Sequence, residues 1–118
     1  MKRAQRLRKT ADFQRVRARR RSWAHPLLVL YAAENGADQS RVGVVAGRWV
    51  RKAVTRNRVK RRVREAVRER YAQIAPGYDL VWVARPDLAA ADHAALVAAV
   101  EQLLRRARLL REKRTSTV

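Results

Sequence analysis

Between Ala53 and Tyr71 the chain reads AVTRNRVKRRVREAVRERY, and this stretch constrains the fold more than any other. Wound as a helix at ~100° per residue, it gathers Val59, Val63, Ala66, Val67 and, farther on, Ile74 within about a third of its circumference. Lys60, Arg64, Asn57, Arg68 and Arg61 form an adjacent face that is almost wholly cationic. Arg58 and Arg62 sit on the far flank, with Glu65 and Glu69 between the two basic groups. One face is made to be buried and the next to meet something anionic. A helix merely bathed by solvent carries acids and bases in comparable number, paired at i,i+4. Here eight bases meet two acids between Arg56 and Arg70, so self-repulsion costs stability unless a partner relieves it.

The whole chain shares this bias. Its 118 residues suit one domain with a modest core, residues 1–118, with basic flexible ends at about 1–8 and 112–118. Lys and Arg number 29 against 10 Asp and Glu, a formal charge of +19, and a field of that size favours nucleic acid or an anionic membrane surface. Hydrophobic residues still make up 47%, which argues for a folded domain rather than a basic tail. With no cysteine, disulfides and Cys-based zinc sites are excluded. No apolar run reaches the length of a membrane-spanning helix, and the basic N-terminus lacks the apolar core of a secretion signal. These features predict a soluble, cytoplasmic protein.

Residues 1–9, MKRAQRLRK, are aperiodic and predicted to be mobile without a partner. Thr10 or Asp12 is placed to cap a short helix to about Arg19, carrying Phe13 and Val16 inward. A short strand around Trp23 and a longer one over 27–33 follow, with Pro26 confining their junction to an edge or bend. ENGADQS, with its Asn-Gly pair, predicts a hairpin into a returning strand over 41–46. The basic helix then fades near Ala75, ahead of Pro76 and Gly77. Tyr78 to Ala84 is the third main strand, and a last helix from about Ala91 to Leu110 carries Leu96, Val100, Leu103, Leu104 and Ala107 on one stripe, with Asp92 as its cap. The order α-β-β-α-β-α predicts a two-layer α/β (α+β) sandwich.

Catalytic signals are missing from this pattern. His25 and His93 have no metal-ligand spacing around them, the carboxylates are scattered, and no phosphate-cradling glycine loop or nucleophile motif occurs. The chain reads as a binder. Single strands are commonly held by aromatic side chains beside cationic ones, which makes Phe13, Tyr31, Trp49, Tyr78 and Trp82 candidates. On general grounds each is more often core than contact.

Arg56-Asn57-Arg58-Val59-Lys60-Arg61, of the form RNRxKR, is followed by Arg64-Glu65 and preceded by Arg41-Val42-Gly43-Val44-Val45 and Ala53-Val54. With Asp12-Phe13, Leu30-Tyr31 and the Arg-Pro after the third strand, this closely resembles the bacterial ribonuclease P protein family over roughly residues 7–111. The resemblance implies a ribosomal-protein-like sandwich with a left-handed βαβ crossover. It implies a subunit that assists a catalytic RNA in removing the 5′ leader of precursor tRNA. The Mg²⁺ is required by the RNA, and the protein contributes neither a catalytic group nor a cofactor site. Ribonuclease P RNA would be contacted by Arg56, Asn57, Arg58, Lys60, Arg61, Arg64 and Arg68. The leader would lie in a cleft lined by Phe13, Tyr31 and Arg48, with Arg17 and Trp49 as further candidates. Neither a membrane nor DNA is an expected partner.

The chain also departs from the family pattern. Gly47-Arg48-Trp49 stands where Ser-Lys-Lys is common, Arg51-Lys52 where Gly-Asn often follows, and Arg17 where an aromatic usually lies four residues after Phe13. Trp49 could stack on a base. A ribosomal-protein-like RNA binder and a nonspecific DNA-binding protein are the alternatives, and a protein-only nuclease ranks below both.

Overall fold

The computed structural model describes residues 1–111. In chain order these form α1 (Thr10–Ala18), β1 (Ser22–Ala24), β2 (Leu28–Glu34), β3 (Arg41–Val45), α2 (Ala53–Arg68), β4 (Tyr78–Ala84) and α3 (His93–Arg106). Single 3-10 turns add Arg3–Gln5, Tyr71–Gln73 and Pro86–Ala90. The four strands make one sheet in the order β1-β2-β4-β3. This mixed α/β architecture agrees with the expected sandwich.

The strand pairing corrects one expectation. Asn35-Gly36 does not close a hairpin between β2 and β3: β2 runs antiparallel to β4, from Leu28 opposite Ala84 to Glu34 opposite Tyr78, while β3 runs parallel to β4. The cause lies in β4, whose Leu80, Val81 and Trp82 are fully buried. A strand apolar on both faces belongs at the centre of a sheet, and the parallel pair it forms with β3 needs a long crossover, which α2 supplies. The local turn is made all the same. The Asn35 side chain accepts from the Ala37 N–H at 2.7 Å, Gly36 takes φ +69°, and the chain passes beyond β4 to its far side. The hairpin that does form joins β1 to β2 around Pro26.

α2 and α3 cover one face of the sheet. Val59, Val63, Ala66 and Val67 of α2 meet Leu96, Val100, Leu103 and Leu104 of α3 over Leu28, Leu30, Val42, Val44, Leu80 and Trp82. The opposite face carries only α1 and a smaller cluster of Leu7, Val16, Ala33 and Val81, against which Phe13, Tyr31, Val45 and Val83 remain half-buried. Burial of the first set at about 25 cal/mol per Å² holds the layers together; the second set leaves apolar surface open beside α1.

Helix ends differ from the sequence reading in small, explicable ways. α1 starts after Lys9, and neither Thr10 nor Asp12 caps it; Asp12 instead lies 3.8 Å from both Arg15 and Arg41. α2 stops at Arg68, and Ile74 reaches the core through the following turn and a bridge to Leu110 rather than from the helix face. α3 is shorter than expected, with the Asp92 carboxylate accepting from the Ala95 N–H at 2.8 Å as its cap. The N-terminal segment carries an anchor that periodicity does not show: Leu7 is buried and its N–H donates to the Val42 carbonyl at 2.9 Å. Residues 112–118, read from sequence as a loose tail, lie outside the described residues.

Candidate nucleic-acid interface

The site is built on Gly43. A Cβ there would stand 2.6 Å from Cε1 and Cζ of Phe13, so only glycine lets the ring lie this close against β3. Phe13, one turn into α1, is thereby held at the border between the small core and the uncovered sheet. One turn farther along, the Arg17 guanidinium lies over the Tyr31 ring at 5.3 Å from its centroid, a cation–π contact on that same uncovered face.

From these two side chains a groove of about 700 Å³ runs over Val45 and Val83 to the end of β3 and the first turns of α2. Phe13 and Arg17 form one wall, Arg56 and Lys60 the other, and Arg48 stands at the end. The corner before Arg48 requires a glycine: Gly47 has φ +89°, and an added Cβ would lie 2.6 Å from the Ala84 carbonyl oxygen.

The candidates thus divide. Phe13, Arg17 and Arg48 line the groove, together with Lys60, which the sequence placed on the cationic helix face, and Arg56, which the resemblance assigned to the RNA subunit. Tyr31 sits beside it under Arg17. Trp49 is elsewhere: its indole N–H donates to the Ala84 carbonyl at 2.9 Å and its ring packs on the core beneath α2 and α3. That placement departs from the expectation of a base-stacking indole. Along α2, Asn57, Arg58, Arg61 and Arg68 are exposed and Arg64 is half-buried. Burial, and then the nearby Arg6, hold the Arg64 guanidinium below its ordinary pKa. Arg62 faces away, donating to the Leu88 and Ala91 carbonyls, and Arg70 pairs with Glu101 at 2.8 Å. Among the described residues, Arg58, Lys60, Arg61, Arg64 and Arg68 have no carboxylate partner.

One cluster went unseen in the sequence. Asp79 of β4 is fully buried; Arg41 grips it with two bonds, Nε at 2.8 Å and Nη2 at 2.7 Å, Asn35 donates at 3.0 Å, and Arg15 of α1 completes the set. Burial alone would raise its pKa, but the hydrogen bonds from Arg41 and Asn35, with Arg41's charge and Arg15, hold the carboxyl below its ordinary 3.8. This pins α1, and hence Phe13 and Arg17, to the sheet. Among the described residues no group of three or more His, Asp or Glu side chains converges as a metal site would require. The surface is cationic and ring-bearing, suited to a phosphate backbone with unpaired bases.

Comparison with known proteins decides the family. Residues 1–108 match the family Ribonuclease P. The chain belongs to it. It is 50% identical over 111 residues to the ribonuclease P protein component of Roseiflexus sp. (strain RS-1), covering 93% of this chain and 91% of that one. With the Herpetosiphon aurantiacus ribonuclease P protein component it shares 44% identity over 113 residues, 96% and 92% of the two chains. Among solved structures, the Staphylococcus aureus RNase P protein superimposes with a TM-score of 0.78 at 28% identity, over 90% of this chain and 97% of that one. The Thermotoga maritima RNase P protein does so with 0.76 at 32% identity, over 86% and 96%. Membership in the ribonuclease P family makes this a protein subunit of ribonuclease P, and its partner the RNA of that enzyme.

Proposed function

We propose that α2 docks on ribonuclease P RNA while the groove takes the single-stranded 5′ leader of precursor tRNA, so that the protein assists endonucleolytic removal of that leader. One observation carries this reading: Lys60, on the cationic face of α2, and Arg56, one turn before it on the same helix, also line the groove that holds Phe13, Arg17 and Arg48. Two RNAs bound on these surfaces would lie side by side across one row of cations. The protein's part is then electrostatic. Neutralised phosphates let two polyanions approach, and contacts confined to the leader favour precursor over mature tRNA. Phosphodiester hydrolysis falls to the RNA subunit and its Mg²⁺, and the work belongs to the cytoplasm.

The two surfaces are separable by mutation. Arg61→Ala should weaken binding of the RNA subunit and reduce the slope of log affinity against log salt by about one. Phe13→Ala should leave that slope unchanged and weaken precursor tRNA about tenfold relative to mature tRNA, the value of one lost stacking contact. Equal effects of both substitutions on both ligands would contradict the division of labour.

A further inference from the structure

On the face opposite the groove, at the other edge of the sheet, the structure holds a second combination of rings and cations. A notch of about 170 Å³ is lined by Trp23 of β1, Tyr78 of β4, Arg21 and Arg108, with Ala32 among its small lining residues. Its size suits one planar ring, since a cavity of about 150 Å³ holds benzene. Trp23 pairs in register with Leu30, a residue of the core beneath α3, so the notch opens on the helix-covered side.

Two backbone features bear on the cations here. Arg108 follows α3 with φ +60°, and Arg20, next to Arg21, has φ +58°. Glycine or asparagine is the usual occupant of such positions, and another side chain there costs about 1 kcal/mol. Arginine is nevertheless what stands at both. A path of charge also leads to the notch from the groove. Arg17 lies over Tyr31, Tyr31 pairs with Ser22, and the intervening Arg19, Arg20 and Arg21, all exposed, lead into the start of β1, where the Arg21 carbonyl accepts from the Ala32 N–H.

We infer that the notch takes an unpaired nucleotide of the leader, upstream of the part in the groove, with its base against Trp23 and Tyr78 and its phosphate on Arg21 and Arg108. This rests on the leader occupying the groove. The chemistry, a base on a ring with a phosphate on guanidinium, would serve equally for an unpaired nucleotide of the RNA subunit. The leader is favoured because the cationic path starts at the groove.

Holoenzyme affinity for precursor tRNAs with leaders of about 4 and about 12 nucleotides, within the span one such binding surface covers, tests this. The variant Arg21→Ala with Arg108→Gly removes both cations, and glycine suits φ +60° at position 108, so folding should be kept. It should lose about fivefold or more on the long leader and nothing on the short one. Phe13→Ala, run alongside, should lose on both. A double variant that binds the long leader like wild type overturns the notch while leaving the groove intact. A variant that loses the RNA subunit itself, whatever the leader, assigns the nucleotide to that RNA and overturns the leader assignment. Loss of nothing by Phe13→Ala overturns the groove reading instead.

Discussion

Asp79 shows how a single side chain can set the geometry of a surface it never touches. Its carboxylate collects Arg41, Asn35 and Arg15, and through Arg15 fixes the helix bearing Phe13 and Arg17. Asp79→Asn should cost about 2 kcal/mol, below the ~3–5 kcal/mol of a fully buried pair because both guanidiniums still reach water. The folded pKa lies below 3.8, so the ionised carboxylate's contribution is fully present above that range and is lost as pH falls through the depressed value. Denaturant melts should therefore show a constant gap between wild type and Asp79→Asn above about pH 5 that closes in acid. Trp49 makes the complementary case. Its indole is engaged with the Ala84 carbonyl, so Trp49→Ala should lower stability by about 2 kcal/mol while leaving leader affinity within about twofold. A large loss of leader affinity in a fully folded variant would contradict that placement. From sequence, Trp49 was an aromatic among cations and Asp79 one acid in an apolar strand; how each is tied down depends on partners 35 to 64 residues away.

At the scale of elements, what repeats was legible and what depends on pairing was not. The spacing of Val59, Val63, Ala66 and Val67 marks the buried face of α2 because a helix brings those positions together unaided. β4 was read to the residue, Tyr78–Ala84, since apolar residues fill it between turn formers. The partner of β2 was misread because Asn35-Gly36 specifies a turn, not the strand beyond it. Leu7, a lone apolar residue among arginines, has no period to betray it, yet it anchors the N-terminal segment under Phe13 and beside β3. Leu7→Ala should cost about 2 kcal/mol. The amide of residue 7, bonded to the Val42 carbonyl, should then exchange faster than in wild type; unchanged protection would mean that the segment is held by something other than this side chain.

Across the whole molecule, one sheet separates two kinds of surface. The face under α2 and α3 is closed by the main core, while the face beside α1 is left partly uncovered and ringed by cations. With +19 formal charges on 118 residues, such a chain gains stability and purpose together when it meets a polyanion. Family membership supplies that partner as ribonuclease P RNA. The central claim is that this protein brings that RNA and a leader-bearing precursor tRNA together. It is tested most directly by mixing purified protein, a ribonuclease P RNA and precursor tRNA at low Mg²⁺, omitting each component in turn. Cleavage at the mature 5′ end that requires the RNA and is strongly stimulated by the protein is the predicted result. An RNA active alone at high Mg²⁺ that gains nothing from the protein at low Mg²⁺ would contradict the account.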